Sequence, residues 1–139
     1  MSSDGRPIET VAGMSESIIC ERAFEFACRI LKLCERLWHR GPAARLIATQ
    51  LLKCGPSIGA NAEETQEGQT KADFCAKLAI SRKESRETRS WLRVAVRTEV
   101  VTANEVDWEL SEVNQLRAMI IAAIKTGQSS SRRGNQPSA

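Results

Sequence analysis

Apolar residues recur every three or four positions along most of the chain, and this spacing predicts four long amphipathic helices. The first is predicted to begin near Ser15 or Ser17 and to run to about His39, where an Arg-Gly-Pro sequence follows. Its apolar positions are Ile19, Ala23, Phe24, Phe26, Ala27, Ile30, Leu31, Leu33, Leu37 and Trp38. Because this face is wider than one contact needs, it predicts contact with both the helix's own bundle and a neighbouring subunit.

The second helix is predicted to start at Pro42, because proline is tolerated in the first turn of a helix. Pro56 lacks an amide hydrogen and its ring clashes with the preceding turn, so a kink or break is expected there. The helix is expected to close at residues 67–68, a Glu-Gly pair. Beyond Pro56, three polar residues follow at helical spacing: Ser57, Asn61 and Glu64.

The third and fourth helices have recognisable start signals. Thr70 is predicted to cap the third helix, with Asp73 in its first turn, and this helix is expected to extend to Val100 or Val101. The fourth helix is predicted to start with Asn104 as its cap and to end at Gly127.

The two ends of the chain differ from the middle in composition. Residues 1–15 are polar and contain Gly and Pro, and residues 128–139 are of low complexity, so both segments are predicted to be flexible or disordered. Residues 16–127 then form one domain, and aromatic residues make up 4% of the chain, so its core is predicted to be aliphatic. Four amphipathic helices with short links predict an all-α fold, an antiparallel up-down four-helix bundle.

Positive charge is concentrated on the third helix. The chain has a formal charge of +3, whereas residues 71–97 alone contain eight basic and three acidic residues. Five arginines fall within about 80° of arc on this helix. They are Arg82, Arg86, Arg89, Arg93 and Arg97. They form either a solvated face, partly neutralised by glutamates of other helices, or a ridge for phosphates. Since no aromatic residue interleaves with them, base stacking is not predicted.

A second polar feature lies on another face of the third helix. Glu84 and Thr88 are in line with Trp91, which predicts that they point inward. They match the polar line Ser57, Asn61 and Glu64 of the second helix. One interpretation is a hydrogen-bond network between helices that fixes their register. The other is a catalytic pair, Glu64 with Glu84. Since no nucleophile, metal cluster or second histidine accompanies the two carboxylates, an enzyme is not expected.

The remaining chemistry-bearing residues are few. The five cysteines include no C-x-x-C pair and lie beside apolar residues, so they are predicted to be small buried thiols in a reducing compartment. His39 is the single histidine, and neither a metal site nor a cofactor is expected. No apolar run approaches the length of about 20 residues that spans a bilayer, and no secretory signal is visible. A soluble cytoplasmic protein is therefore expected.

Two segments resemble the signatures of a known family, the four-helix-bundle proteins of 23S rRNA intervening sequences (S23-type). Residues 57–64, SIGANAEE, match its S-x-x-x-N-x-x-E line, and residues 73–92 match its F-x-x-K-L-x-I-x-x-K-E-x-x-E-T-x-x-W-L line. The matching residues are Ser57, Asn61, Glu64, Phe74, Lys77, Leu78, Ile80, Lys83, Glu84, Glu87, Thr88, Trp91 and Leu92. The resemblance covers about residues 17–126. It departs at Ala62 and Ser90, where the family often has larger side chains.

The resemblance implies an up-down four-helix bundle that assembles as a ring-like homopentamer. It extends to the accessory variability protein of diversity-generating retroelements, a branch that binds nucleic acid through a basic surface and partners a reverse transcriptase. With the arginines of the third helix, this predicts a non-enzymatic adaptor that binds nucleic acid. RNA or DNA is the expected partner, with RNA or an RNA–protein complex such as a reverse transcriptase favoured. The alternative is a protein-binding scaffold without nucleic-acid activity, whose arginines pair with acidic residues of a partner or neighbouring subunit.

Overall fold

The protein, described by a computed structural model, forms four helices around one core. The structure describes the backbone of residues 11–65 and 70–134, and side chains from residue 16 to residue 129 within these ranges. The helices are α1 (Val11–Trp38), α2 (Pro42–Glu64), α3 (Lys71–Arg97) and α4 (Asp107–Gly134), with a short 3₁₀ turn, Asn104–Val106, before α4. Each helix packs against the next, and α4 packs against α1. The described ranges contain no strand, so the all-α prediction is confirmed for them.

The core is aliphatic, as the composition predicts, and all four helices contribute to it. Its largest fully buried apolar side chains are Phe26, Ile19, Ile30, Leu33, Leu37, Leu51, Ile58, Leu78, Leu92, Leu116 and Ile120. Burying each of these side chains stabilises the fold by about 1.5–3 kcal/mol. Trp38, one of the apolar positions of α1, is 44% exposed, because it lies on the outer side of the helix with Phe24 and Leu31.

Small residues bring α1 and α2 into close contact. A Cβ atom on Gly55 would lie 2.8 Å from Cγ2 of Ile30, and one on Gly59 would lie 3.2 Å from Cβ of Ala23. The helix continues through Pro56, so the predicted break does not occur. Glycines on both sides of the proline hold the two halves of α2 against α1, and this packing offsets the hydrogen bond that Pro56 cannot donate.

Helix α3 begins as predicted and ends earlier than predicted. Thr70 is its N-cap, and the Thr70 hydroxyl accepts a 3.2 Å hydrogen bond from the Asp73 amide. The helix ends at Arg97 because Glu99 adopts a left-handed conformation with φ of 63°. The Glu99 amide donates to the Val96 carbonyl and the Val100 amide to the Ala95 carbonyl, both at 3.0 Å. These two bonds form a Schellman motif, which closes the helix before Val100.

The boundaries of α4 also differ from the prediction. Asn104 opens the 3₁₀ turn instead of capping the helix, and the Thr102 hydroxyl accepts the hydrogen bond from the Glu105 amide at 3.2 Å. Gly127 lies inside α4 and does not end it. A Cβ atom there would lie 3.0 Å from Sγ of Cys75 and 3.2 Å from Cε1 of Phe74. Glycine is therefore used where the start of α3 approaches α4.

Two predicted termini need correction. Helix α1 begins at Val11, so residues 11–15, expected to be flexible, are helical. Helix α4 continues to Gly134, so residues 128–134 are helical where a disordered tail was expected. Residues 1–10 and 135–139 lie outside the described residues, as does the predicted end of α2 at residues 67–68. The described part of α2 ends at Glu64.

Candidate nucleic-acid interface

Small side chains on the inner face of α3 set the direction of its arginines. Ser81, Ser85 and Thr88 are fully buried there beside Leu92. Each hydroxyl donates to a carbonyl, and Ser81 reaches across to the carbonyl of Ile58 on α2 at 2.9 Å. A hydrogen-bonded hydroxyl can be buried at little cost, so this side of α3, which carries both hydroxyls and Leu92, packs against the core. The arginines then lie on a different side of the helix.

Four of the five arginines are exposed, and Arg89 is half-buried. Fifteen residues separate Arg82 from Arg97, so the row extends over about 22 Å of the helix axis. Within the described part of the chain, none of the five forms an ion pair or hydrogen bond. The described glutamates of other helices therefore do not neutralise this face in a single chain. The arginine row is Arg82, Arg86, Arg89, Arg93 and Arg97.

Two open grooves adjoin the arginine row. One, of about 710 Å³, is lined by Ser90, Arg93, Val94, Val96, Arg97, Thr98 and Leu110. The other, of about 470 Å³, is lined by Lys83, Arg86, Glu87, Ser90, Trp91 and Val94. Ser90 and Val94 belong to both. The apolar residues of these grooves were not predicted from the sequence. The helical position of Val94, outside the buried stripe of α3, could have indicated that it is exposed, and it is 39% exposed in the structure.

The predicted network between α2 and α3 takes a different form. Asn61 donates to the Ser57 carbonyl, and Thr88 donates to the Glu84 carbonyl, each at 2.8 Å and each within its own helix. The Ser57 hydroxyl donates to Lys53 in the same way. Thus the described side chains of the five predicted residues form no hydrogen bond with one another across the helix pair. Ser57, Asn61 and Thr88 each donate to the backbone carbonyl four residues before them in the same helix.

Lys77 and Ser81 of α3 make polar contacts with α2. Glu64 forms an ion pair with Lys77 at 2.6 Å, and Ser81 donates to the Ile58 carbonyl at 2.9 Å. Glu64 is thus bound to a lysine in place of Glu84. Burial of the Glu84 carboxyl, with the negative charge of Glu87 nearby, raises its pKa. Glu64 and Glu84 thus have different surroundings, and in the described structure no side chain hydrogen-bonds to both carboxyls as a catalytic pair would need.

The cysteines offer little nucleophilic reactivity in the core. Cys20, Cys34 and Cys54 are buried, as predicted, whereas Cys28 is exposed and Cys75 is half-buried. Burial raises the pKa of both Cys20 and Cys34 to about 11, so these thiols are protonated at neutral pH. Among the described residues, no group of three or more His, Cys, Asp or Glu side chains could hold a metal ion. No described helix is long and apolar enough to cross a membrane.

A set of paired arginines on α1 and in the turn after it contrasts with the row on α3. Arg22 forms an ion pair with Glu112, and Arg40 donates two hydrogen bonds to Glu105, at 2.7 and 2.8 Å. The complete set, called the α1–α4 ladder below, is Arg22, Arg29, Arg36 and Arg40 with Glu105, Glu109 and Glu112. The guanidinium of Arg40 holds the pKa of Glu105 below its usual range, with a smaller effect from Arg36. Sequence reasoning missed this ladder, whose signal is an arginine every seven residues on α1.

Comparisons with known proteins identify relatives of this fold. The model of a family described as 23S rRNA-intervening sequence protein matches residues 15–122. A similar solved structure is the crystal structure of a protein with unknown function from the S23 ribosomal protein family of Bacteroides thetaiotaomicron VPI-5482. It is 32% identical, with a TM-score of 0.74, and the match covers 80% of this chain and 98% of that chain. A comparison with curated protein sequences finds no match.

Proposed function

Because the chain belongs to the family of 23S rRNA-intervening sequence proteins, we propose that it is a non-enzymatic adaptor that binds nucleic acid through α3. The single observation that carries this proposal is the arginine row. It places five guanidinium groups on one helix, without intramolecular partners in the described part of the chain. A free row of guanidinium forks is suited to phosphate oxygens, which accept two parallel hydrogen bonds from each fork.

The chemistry of the row favours contact with the backbone of the nucleic acid. Arginines that neutralise phosphates release counterions, and this supplies affinity without reading the base sequence. Trp91 is half-buried, on a different side of α3 from the row, so it does not supply a stacking platform between the arginines. Binding of this kind is weakly selective for sequence and strongly dependent on salt.

Assembly is the second part of the proposal. The four helices are proposed to run antiparallel to their neighbours, as an up-down bundle, and five copies are proposed to form a ring. A ring would repeat the arginine row around one particle, and several linked weak sites bind more tightly than one. The natural partner is proposed to be RNA or an RNA–protein complex, such as one that contains a reverse transcriptase. The resemblance to the retroelement accessory protein supports this last choice.

The test is RNA binding measured against salt concentration, with two variants of equal charge. In the Arg86/Arg89/Arg93→Ala variant, affinity should fall and the slope of log K against log salt should become shallower by about 0.7–0.9 for each lost phosphate contact. The control is Lys32→Ala/Lys53→Ala/Lys125→Ala, which removes three exposed positive charges elsewhere. It should retain most of the affinity. Equal losses in both variants, or a wild-type affinity independent of salt, would exclude the proposal.

The alternative, a protein-binding scaffold, has one observation in its favour. The grooves beside the row expose apolar groups, notably Val94, and apolar contact suits a protein surface better than a phosphate backbone. Purification from cells with and without nuclease treatment separates the two functions. Partners lost after nuclease treatment support nucleic-acid binding, whereas protein partners that stay bound support the scaffold.

A further inference from the structure

Along the side of α3 next to α4, four residues follow one another at intervals of seven: Cys75, Arg82, Arg89 and Val96. An interval of seven residues returns to nearly the same side of a helix. At one end of this set, the Cys75 thiol lies 4.0 Å from the Ile124 carbonyl of α4. At the other end, Val96 lines the groove of about 710 Å³ together with Leu110 of α4. The two arginines therefore lie between two contacts with the same neighbouring helix.

Helix α4 places a third arginine at the same junction. Leu110, Arg117 and Ile124 are again seven residues apart, and the outer two are the α4 residues of these two contacts. In the antiparallel arrangement proposed above, seven residues back from Ile124 on α4 correspond to seven residues on from Cys75 on α3. This places Arg117 at the level of Arg82. The three side chains, called the α3–α4 cluster below, are Arg82, Arg89 and Arg117.

Arg117 has a buried donor that no group of the described chain satisfies. The residue is half-buried, and its Nε atom is enclosed by protein without a hydrogen-bond acceptor. The described residues also give its guanidinium no ion pair. An arginine that only covers apolar surface extends its head group into water, whereas this N–H does not reach water. Since buried polar groups are nearly always hydrogen-bonded, the Nε atom of Arg117 calls for an acceptor from outside the chain.

The described carboxylates near this junction are directed elsewhere. On α4, Glu109 and Glu112 pair with arginines of α1, and the sequence of α4 beyond Glu112 contains no acidic residue. On α3, Glu84 and Glu87 lie about 140–160° round the helix from the two arginines of the cluster. The described acidic residues therefore leave the three positive charges of the α3–α4 cluster without compensation.

We propose that the α3–α4 cluster is a binding site for one phosphate group. Two oxygens of a phosphate accept parallel hydrogen bonds from the Nε and Nη atoms of a guanidinium, and Nε is the donor that Arg117 holds unpaired. Because Arg117 is only half-buried, a phosphate can reach its guanidinium from the surface. Arg82 and Arg89 supply further donors from α3. Such a site needs two helices and fixes a single phosphate, unlike a row along one helix.

The phosphate comes from the backbone of the bound nucleic acid, and in this respect the inference rests on the proposed function. Inorganic phosphate offers the same chemistry from another source and serves as the probe. A ligand that binds only the folded protein raises its stability, so phosphate held between α3 and α4 should stabilise the bundle against heat. The site therefore has two readouts, the Arg117 guanidinium itself and the unfolding temperature, and neither depends on RNA.

The experiment follows the arginine Nε–H signals by nitrogen–proton NMR while inorganic phosphate replaces chloride at constant ionic strength. The Arg117 signal, identified by its loss in Arg117→Met, should shift to saturation, and the unfolding temperature should rise over the same phosphate concentrations. Arg117→Met should lower phosphate affinity at least about tenfold, because methionine keeps the apolar stem and removes the donors. Arg82→Met changes an exposed residue and should weaken phosphate binding in the same direction.

Arg97→Met is the matched control, because it removes an exposed arginine of the same row about 22 Å along the axis from Arg82. It should leave the phosphate affinity unchanged. If Arg117→Met fails to fold, Arg117→Lys replaces it, since lysine keeps the charge but lacks the fork of two parallel donors and should still weaken phosphate binding. An Arg117 signal that does not respond to phosphate, or an equal loss of affinity in Arg97→Met, would overturn the proposal.

Adding an RNA oligonucleotide to the same samples separates this site from the proposed function. RNA should move the Arg117 signal, and inorganic phosphate should then have no further effect on it. RNA that binds without moving this signal, while inorganic phosphate does move it, would retain the site and exclude the backbone as its source. RNA binding with an Arg117 signal that responds to neither probe would exclude the site and retain the proposed function. Phosphate binding without RNA binding would do the reverse.

Discussion

The arginines of α1 form ion pairs within this bundle, whereas the described arginines of the row on α3 do not. Arg22, Arg29 and Arg36 of α1 are each paired with a glutamate of α4 or of the 3₁₀ turn before it. Arg40, just after α1, donates to both carboxylate oxygens of Glu105. In the described structure the arginine row of α3 has no such partner. The same residue type thus stabilises the fold on one helix and stays free on another.

The difference follows from what lies opposite each row. The side of α1 that carries arginines faces α4, whose first turns carry Glu109 and Glu112, so packing the two helices brings opposite charges together. The arginine row of α3 faces solvent beside two grooves. Charge alone therefore does not identify a binding surface. The informative property is a cluster of like charges that the fold leaves without partners.

Of the substitutions that test this difference, Glu105→Ala is expected to change stability most. It removes the partner of Arg40 and Arg36, so the free energy of unfolding should fall by about 1–1.5 kcal/mol, the upper range for a partly exposed bidentate pair. Urea denaturation measures this loss. Glu87→Ala is the matched control on α3, where Glu87 is exposed, and it should change stability by less than about 0.5 kcal/mol. A loss in Glu87→Ala as large as that in Glu105→Ala would remove the contrast between the two helices.

A smaller effect is expected when acid titrates the same carboxyl. Arg40 lowers the pKa of Glu105 in the folded state, whereas a free glutamate titrates near about pH 4.3. Its contribution to stability is therefore present above that pH and is lost as pH falls through the lower, folded-state pKa. The loss should be less than that in Glu105→Ala, because a protonated carboxyl keeps its place and can still accept a hydrogen bond.

The measurement compares unfolding curves of the wild type and Glu105→Gln between pH 7 and pH 3. The wild type should be more stable at pH 7, and the difference between the two proteins should narrow as the pH falls. A difference that stays constant over this range would contradict the role of the Glu105 charge.

The smallest effect is expected at the end of α3, where Glu99 adopts a conformation that favours glycine. Glu99→Gly should raise the free energy of unfolding by about 0.5–1 kcal/mol, because the Schellman motif keeps its two hydrogen bonds without the strain of a Cβ atom. Thermal denaturation measures the gain. RNA affinity should stay unchanged, since no member of the arginine row is altered. A change in affinity would mean that the end of α3 contributes to binding.

Much of the fold follows from local signals in the chain. The starts of α2 at Pro42 and of α3 after Thr70 are correctly predicted, because a proline in the first turn and a hydroxyl cap act within a few residues. The ends are predicted less well. Pro56 and Gly127 were expected to interrupt helices, yet each lies inside one, since packing against a neighbouring helix outweighs a local helix-breaking preference.

The candidate site divides in the same way. The arginine row is predictable because helical periodicity alone places its members on one side of α3. Whether those arginines are paired is not predictable from periodicity, since pairing depends on which helix lies opposite and what it carries. For this reason the five residues of the predicted network form no direct hydrogen bonds with one another across α2 and α3 in the described structure. The Thr88 hydroxyl donates within its own helix, and Glu64 pairs with Lys77 instead of Glu84.

Periodicity and composition are enough to establish four amphipathic helices, an aliphatic core and a basic third helix. These properties arise from the order of residues within single helices, which is a local matter. The pairing of the α1 arginines and the continuity of α2 through Pro56 depend on how the helices pack. Side chains far apart in the chain meet only there, and their distances decide which charges are neutralised and which stay available to a partner.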